Sequence, residues 1–339
     1  MTRFWVKAVV AIGAWLALCG SSALFAQEQG KSREGSTWNV ALDGSGHFTS
    51  IQEAIDQAQD GDTVFIKAGS YAEDVTVHSK EGLKVIGEGP ERVFLAGLKR
   101  VGTLHIGKWP YGATNVEIRG LTVQQHGGLG VGIFNGEGVT LKNLKVNGFV
   151  FGQQVQNVHI EDCVIGGSET TGIAFADSQA TLIDNLIHDN DHGVSVGGTS
   201  IVRLERNVIT RSLFEAVLVA DQGNATLIQN TLVENRGGVK FQDDATGRVA
   251  GNIIDDARVG IAWSARNTVN IEHNGLHNVD VKYQIDGQAA SPESRAFSDV
   301  SLAPMFVAPD RGDYRLQADS PLLNVGEFPY LGALGPVRE

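Results

Sequence analysis

The chain has 339 residues, 42 of them glycine and two of them cysteine, with a formal net charge of −12. That charge argues against nucleic acid as a partner. No P-loop, dinucleotide fingerprint or Cys/His metal spacing supports nucleotide, flavin or zinc chemistry. Glycine stands well above the usual ~7%, which suits a fold built from repeated sharp turns.

Residues 1–26 read as a secretory leader: Arg3 and Lys7 precede the apolar run from Ala8 to Leu18, and small residues follow to a cleavage site near Ala26. The run is too short to span a membrane, so the mature protein is expected to be secreted or periplasmic. Losing Arg3 and Lys7 takes the charge to −14. Cys163 is then the sole cysteine, expected to be buried and without a disulfide. Residues 27–37 form a polar linker. Residues 38–82 hold a strand at 38–42, a Gly-rich turn and a helix from about Ile51, for which Ser50 and Glu53 make a capping box. Ile51, Ala54, Ile55 and Ala58 share one helical face, which suits a capping helix laid over the first coil.

From 83 to 283 the chain repeats. Asn185, Asn207, Asn230, Asn252 and Asn274 recur every 22 or 23 residues inside one apolar frame. The frame extends back to Cys163, Leu144 and Leu121, so eight coils are readable. Short Val/Ile-rich runs at a period of ~22 predict an all-β, right-handed parallel β-helix, a solenoid of three short strands per coil. Coils stack ~4.8 Å apart, so an inward asparagine can bond to the bend's backbone and to the asparagines on either side. These asparagines are expected to hold the fold and do no chemistry. Residues 284–339 lose the repeat and read as a C-terminal loop and capping segment. One elongated, monomeric domain is expected.

Aligning Gly172, Gly193, Ala216, Gly238 and Gly260, which open the third strand of successive coils, stacks Thr171, His192, Glu215, Gly237 and Val259 in one row. His192 and Glu215 become neighbours, with Asp191, Glu169 and Arg236 in the same turn region and Lys240 two residues past its glycine. A histidine beside a carboxylate can act as general base, and a nearby cation can neutralise a uronate. The candidate catalytic set is His192, Glu215, Asp191, Lys240, Arg236 and Glu169. Glu169 and Glu215 would be the carboxyl pair that a hydrolase needs. A second row, Asp177, Asp221 and Asp243 with Asp244 alongside, has the oxygen donors to hold Ca²⁺ or to start turns. Asp189, Arg211, Glu234 and Asp256 read as a solvated salt-bridge strip. Arg203 and Arg248, facing outward, are candidates to grip a sugar carboxylate on a face where Glu161, Glu205 and Glu272 alternate nearby, and His105, Trp109 and Tyr111 offer surface for ring stacking or pack their loop onto the barrel.

Residues 40–77, reading VALDGSGHFTSIQEAIDQAQDGDTVFIKAGSYAEDVTV, carry Gly69, Tyr71 and Glu73 as a G-x-Y-x-E element. They resemble the opening of pectinesterases and other pectin-lyase-like β-helix proteins. The tail MFVAPDRGDYRLQADSPLLNVG resembles the closing segment of secreted bacterial β-helix proteins grouped with carbohydrate-binding and sugar-hydrolysing repeats. DHGVSVG, at 191–197, is similar to the histidine segment of polygalacturonases. The resemblance implies this fold and a polysaccharide partner, of a uronate-containing or pectin-like kind. It stops short of a reaction. The Asp-Phe-[Ile/Val]-Phe-Gly and Arg-x-Trp elements of pectinesterases are missing, residues 260–265 read GIAWSA, and the D-P-H-E segment of mannuronan epimerases is missing. The acidic charge also disfavours a polyanion unless calcium or a local basic patch intervenes. Two functions stay open: an exported polysaccharide-binding protein that is a lyase or glycoside hydrolase, or a non-enzymatic scaffold or adhesin.

Overall fold

The computed structural model describes residues 35–98, 102–290 and 298–337, so the expected leader and most of the polar linker lie outside the described residues. Within them the chain winds as a parallel β-helix. Its first sheet stacks eleven parallel strands, from Thr37–Val40 to Thr268–Glu272. The second sheet includes Val164–Gly166, Leu186–His188, Val208–Thr210 and Thr231–Val233. The third includes Thr171–Ala176, His192–Gly197, Glu215–Val219 and Gly237–Phe241. Strands Thr122–Phe134, Lys145–Gln153, Ile253–Trp263 and Gly275–Ile285 run through both.

Alternation decides what lies inside. Leu182, Leu204 and Leu227 point inward from the first sheet, Ile187, Ile209 and Leu232 from the second, and Val194, Val217 and Val239 from the third, all essentially buried. Each such side chain contributes roughly 1.5–3 kcal/mol of hydrophobic stabilisation. At the bend between the first two sheets the asparagines form a continuous ladder. Asn207 Nδ2 donates to Leu182 O at 2.9 Å and to Asn230 Oδ1 at 3.0 Å, and Asn230 repeats the pattern onto Asn252. Cys163 N–H joins one end through Asn185 Oδ1, and Asp299 Oδ1 receives Asn274 N–H at the other. Burial pushes the Cys163 thiol up to about 12 and raises the Asp299 carboxyl as well.

A shorter ladder at the next bend is incomplete. Ser168 and Ser212 donate their backbone N–H groups to Oδ1 of Asn190 and Asn235, at 3.0 and 2.9 Å. Asn190 Nδ2 and Ser212 Oγ are buried with no hydrogen-bond partner among the described residues. Serine is one amide too short to accept from the coil before it. Ser212→Asn should close this gap and raise the unfolding free energy by about 1 kcal/mol. A denaturant midpoint that stays level or falls would show that the rung cannot be completed.

At the N-terminus, helix Ile51–Gln57 buries Ile51, Ala54 and Ile55 in the main core. Ser50 caps it by accepting from Glu53 N–H at 3.3 Å. The expected capping box is only half formed, because the returning carboxylate comes from Glu73. It accepts from Ser50 Oγ, Ile51 N–H and Gln52 N–H at 2.8, 2.8 and 3.0 Å. Tyr71, two residues earlier, is buried and donates to Lys67 O at 2.8 Å. The G-x-Y-x-E element therefore fastens the helix to the first coils.

The C-terminal segment meets the last coil at Asp299 and Val300 and then lies along the flank. Phe306, Tyr314, Leu316, Leu322, Phe328 and Leu331 pack on Val208, Ile228, Ala250 and Ile253. This explains an otherwise odd apolar column on the outside of the second sheet: Val208, Thr231 and Ile253 are covered, while Leu186, one coil earlier, is exposed. No helix among the described residues is long and apolar enough to cross a membrane.

Candidate functional site

Two of the three faces are occupied by the protein's own groups. The tail covers much of the second sheet. The first sheet presents cations already neutralised: Arg119 pairs with Glu117, Lys142 with Glu161, Arg203 with Glu205, and Arg248 with Glu272 and Glu327, all within 3.0 Å. Arg203 and Arg248 are therefore not the free carboxylate grips that their outward positions suggested. The third face is different.

There the register is the one the repeat predicts. Thr171 pairs with His192, and Glu215 with Gly237 and so with Val259. Ala174, Ser195, Leu218 and Lys240 form the next outward column. His192 Nδ1 lies 3.3 Å from Glu215 Oε2, and Lys240 Nζ lies 3.6 Å from Glu215 Oε1. Nδ1 is buried and makes no hydrogen bond of good geometry, so the His192–Glu215 approach is a close polar contact, not a directed bond. Contact with His192, opposed by burial and aided by the Lys240 charge, holds the Glu215 carboxyl below its ordinary value. Glu215 is thus the anion at the centre of this group.

Phe214, absent from the expected set, completes it. Its ring stacks on His192 with centroids 5.2 Å apart and planes at 26°, and the Arg236 guanidinium sits 5.9 Å from its centroid. The cause is readable in the sequence. His192 follows His188 by four positions, but Glu215 follows Thr210 by five, although both pairs occupy equivalent positions. The extra residue bulges outward, leaving Leu213 65% and Phe214 42% exposed. Beside it opens a groove of about 360 Å³ lined by Phe214, Glu215, Arg236, Lys240, Arg258 and Gln284. Arg236 and Arg258 form no ion pair among the described residues; on the groove side they and Lys240 face a single acid, Glu215, while on their other side the two arginines border a depression with Glu234, Asp256 and Asp280.

The remaining candidates fall elsewhere. Glu169 is exposed on its turn and makes no bond to the cluster, and Asp191 joins it only through its backbone, accepting from Phe214 N–H at 2.8 Å. Asp177 accepts from Thr199 N–H, Asp221 from Gly198 N–H and Asp243 from Asp221 N–H. All three have φ between 52° and 57°, so they hold left-handed turn positions. Asp244 lies 3.9 Å from Arg266. In the third row Arg211 binds both oxygens of Asp189, lowering that carboxyl to about 2. Trp109 and Tyr111 are 75% and 60% exposed, so core packing does not account for them.

The stacked parallel coils and their inward ladder define a pectin-lyase-like parallel β-helix. Residues 113–291 match the family described as NosD, periplasmic copper-binding protein, and the chain belongs to that family. Residues 37–123 also match the pectinesterase family. A pectinesterase from Petunia integrifolia is 42% identical over 67 residues, 18% of this chain and 18% of that relative's length. The pectinesterase match thus covers the helix fastening and the first coils, upstream of the His192 cluster. Among solved structures, the A-module of mannuronan C-5 epimerase AlgE4 from Azotobacter vinelandii is 18% identical with a TM-score of 0.51, covering 75% of this chain and 95% of that one. PfbA, a surface adhesin of Streptococcus pneumoniae, is 12% identical with a TM-score of 0.52, covering 68% and 76%. At these identities the likeness is one of fold.

Proposed function

We propose that this protein is exported and binds a polysaccharide along the outer face of its third sheet, with an acidic sugar unit received by Arg236, Lys240 and Arg258. The observation that carries this reading is the groove itself, where two unpaired guanidinium groups and an exposed ring meet beside Glu215. Planar guanidinium groups suit carboxylates, and aromatic rings suit the apolar faces of sugars. The pectinesterase match and the family's periplasmic description agree with such a role and place.

The family description also names copper, and the donor set does not fit it. Copper favours thiolate, thioether and imidazole ligands. Cys163 is buried and held protonated, Met305 is the only methionine among the described residues, and no three His, Cys, Asp or Glu side chains there are placed to share a metal. No step is assigned to copper.

A second reading, β-elimination, is motivated by His192, whose Nδ1 faces Glu215 at 3.3 Å, leaving Nε2 as the nitrogen that would meet substrate. In such a reaction His192 would take the C5 proton of a uronate whose carboxylate the cations neutralise. The C4–O bond then breaks, a C4=C5 double bond forms, and the departing oxygen takes a proton. Hydrolysis has less support, because Glu215 has no second carboxyl group beside it in the groove.

Affinity electrophoresis of the purified protein through acidic and neutral polysaccharides, with and without Ca²⁺, tests the binding reading. Retardation by an acidic polymer is expected, and equal mobility in every gel would refute it. Absorbance of unsaturated ends, followed with wild type and His192→Ala, separates elimination from binding alone. Elimination predicts a loss of ~10²-fold or more in the variant, whereas retained binding without product would leave binding as the function.

A further inference from the structure

We infer that an aromatic platform four coils from the basic patch is a second sugar subsite, taking the uncharged faces of pyranose rings. The groove then holds an oligosaccharide laid along the helix axis. This rests on the glycan-binding reading above and extends it. One outward column of the third sheet runs in unbroken register through His105, Gly132, Phe151, Ala174, Ser195, Leu218 and Lys240. At its beginning the rings of His105, Phe134 and Phe151 lie 6.0 and 6.1 Å apart in sequence. Gly132 makes their arrangement possible, because a Cβ there would stand 2.5 Å from the Phe134 ring.

The loop beside this cluster is seated by two more glycines. A Cβ on Gly107 or Gly112 would meet Phe134 O or Asn135 O at 1.9 Å, and Lys108 N–H closes the turn onto Tyr111 O at 2.6 Å. That turn carries the exposed Trp109 and Tyr111 next to the Phe134 strand. Large rings held in the open on a fixed backbone suit stacking.

From the platform to the patch the floor is small. Ala174 and Ser195 lie between Phe151 and Leu218 in the first column, with Ala176 and Gly197 paired alongside. Phe151 and Lys240 are four coil steps apart, ~19 Å, a distance that a monosaccharide cannot bridge and an oligosaccharide can. The two ends also differ in chemistry. Gln153, opposite Phe134, and Asn135 are uncharged, and Lys108 on the turn is an exposed cation there, whereas Arg236, Lys240 and Arg258 gather at the other end. Ring faces and hydroxyls suit the first, a carboxylate the second.

Titration calorimetry with a galacturonic acid disaccharide and octasaccharide tests this, using wild type, Trp109→Ala/Tyr111→Ala, Phe151→Leu and Arg236→Ala, each checked by thermal melting. The octasaccharide should bind roughly tenfold or more tightly than the disaccharide. The aromatic variants should erase most of that gap and spare the disaccharide, while Arg236→Ala weakens both. If aromatic variants of native melting temperature leave octasaccharide affinity intact and Arg236→Ala still weakens it, the platform is refuted and the basic patch stands. If neither oligomer binds wild type, both proposals fail.

Discussion

Asn230→Ala, at a fully buried rung of the asparagine ladder, should lower the unfolding free energy by about 4 kcal/mol. Asn230 Nδ2 donates to Leu204 O, Ile228 O and Asn252 Oδ1 at 3.0, 3.2 and 2.9 Å, while its Oδ1 accepts both Asn207 N–H and Asn207 Nδ2. Alanine removes all of these and leaves their partners buried, where an unsatisfied polar group costs about 1–3 kcal/mol. Partial relief comes from neighbouring coils relaxing together. Urea unfolding followed by circular dichroism measures the effect. A loss below about 1 kcal/mol would mean that the ladder merely fills space.

Glu73→Ala should cost about 3 kcal/mol and loosen helix Ile51–Gln57 before the coils. Three donors at the helix start depend on that one carboxylate. Without it the helix that buries Ile51, Ala54 and Ile55 in the core loses its fastening to the first coils. Faster hydrogen exchange at 51–57 with little change at 192–241 is the expected pattern. Because Glu73 lies in the motif shared with pectinesterases, the same variant separates fold from chemistry. Glycan binding that vanishes while the melting temperature holds would return this motif to a functional role.

The fold was legible wherever the repeat was strict. From Leu121 to Asn274 each inward position is dictated by one side chain that must pair or pack with its equivalent above and below, so eight coils stand out. Of the three earlier strands of the eleven-stranded sheet only Thr37–Val40 was anticipated, as the strand at 38–42; Thr63–Ile66 and Lys84–Gly87 did not stand out, because their spacing is irregular and no common residue marks their bends. The His192–Glu215–Lys240 group was legible for the same reason, since register alone brings equivalent positions together. What register cannot convey is direction and competition. The sequence puts Arg203 and Arg248 on a mixed face with Glu205 and Glu272 nearby, but only the structure shows those acids holding them. Phe214 entered the groove through a one-residue bulge, which the ladder does not convey, whereas Arg258 stands one coil after Arg236 in the same register and was readable from the repeat. The path of the tail was equally hidden, although the apolar outward column Val208, Thr231 and Ile253 was a sign that something covers the second sheet.

The charge-reversed pair Arg236→Glu/Lys240→Glu tests the basic groove most directly. Titrated with polygalacturonate at low salt, wild type should bind and the variant, still cooperatively folded, should bind at least ~10²-fold more weakly, each reversed charge costing about 1.5–3 kcal/mol. Equal affinity in a variant that remains folded would contradict the site, and would move the search for the glycan to another face of the helix.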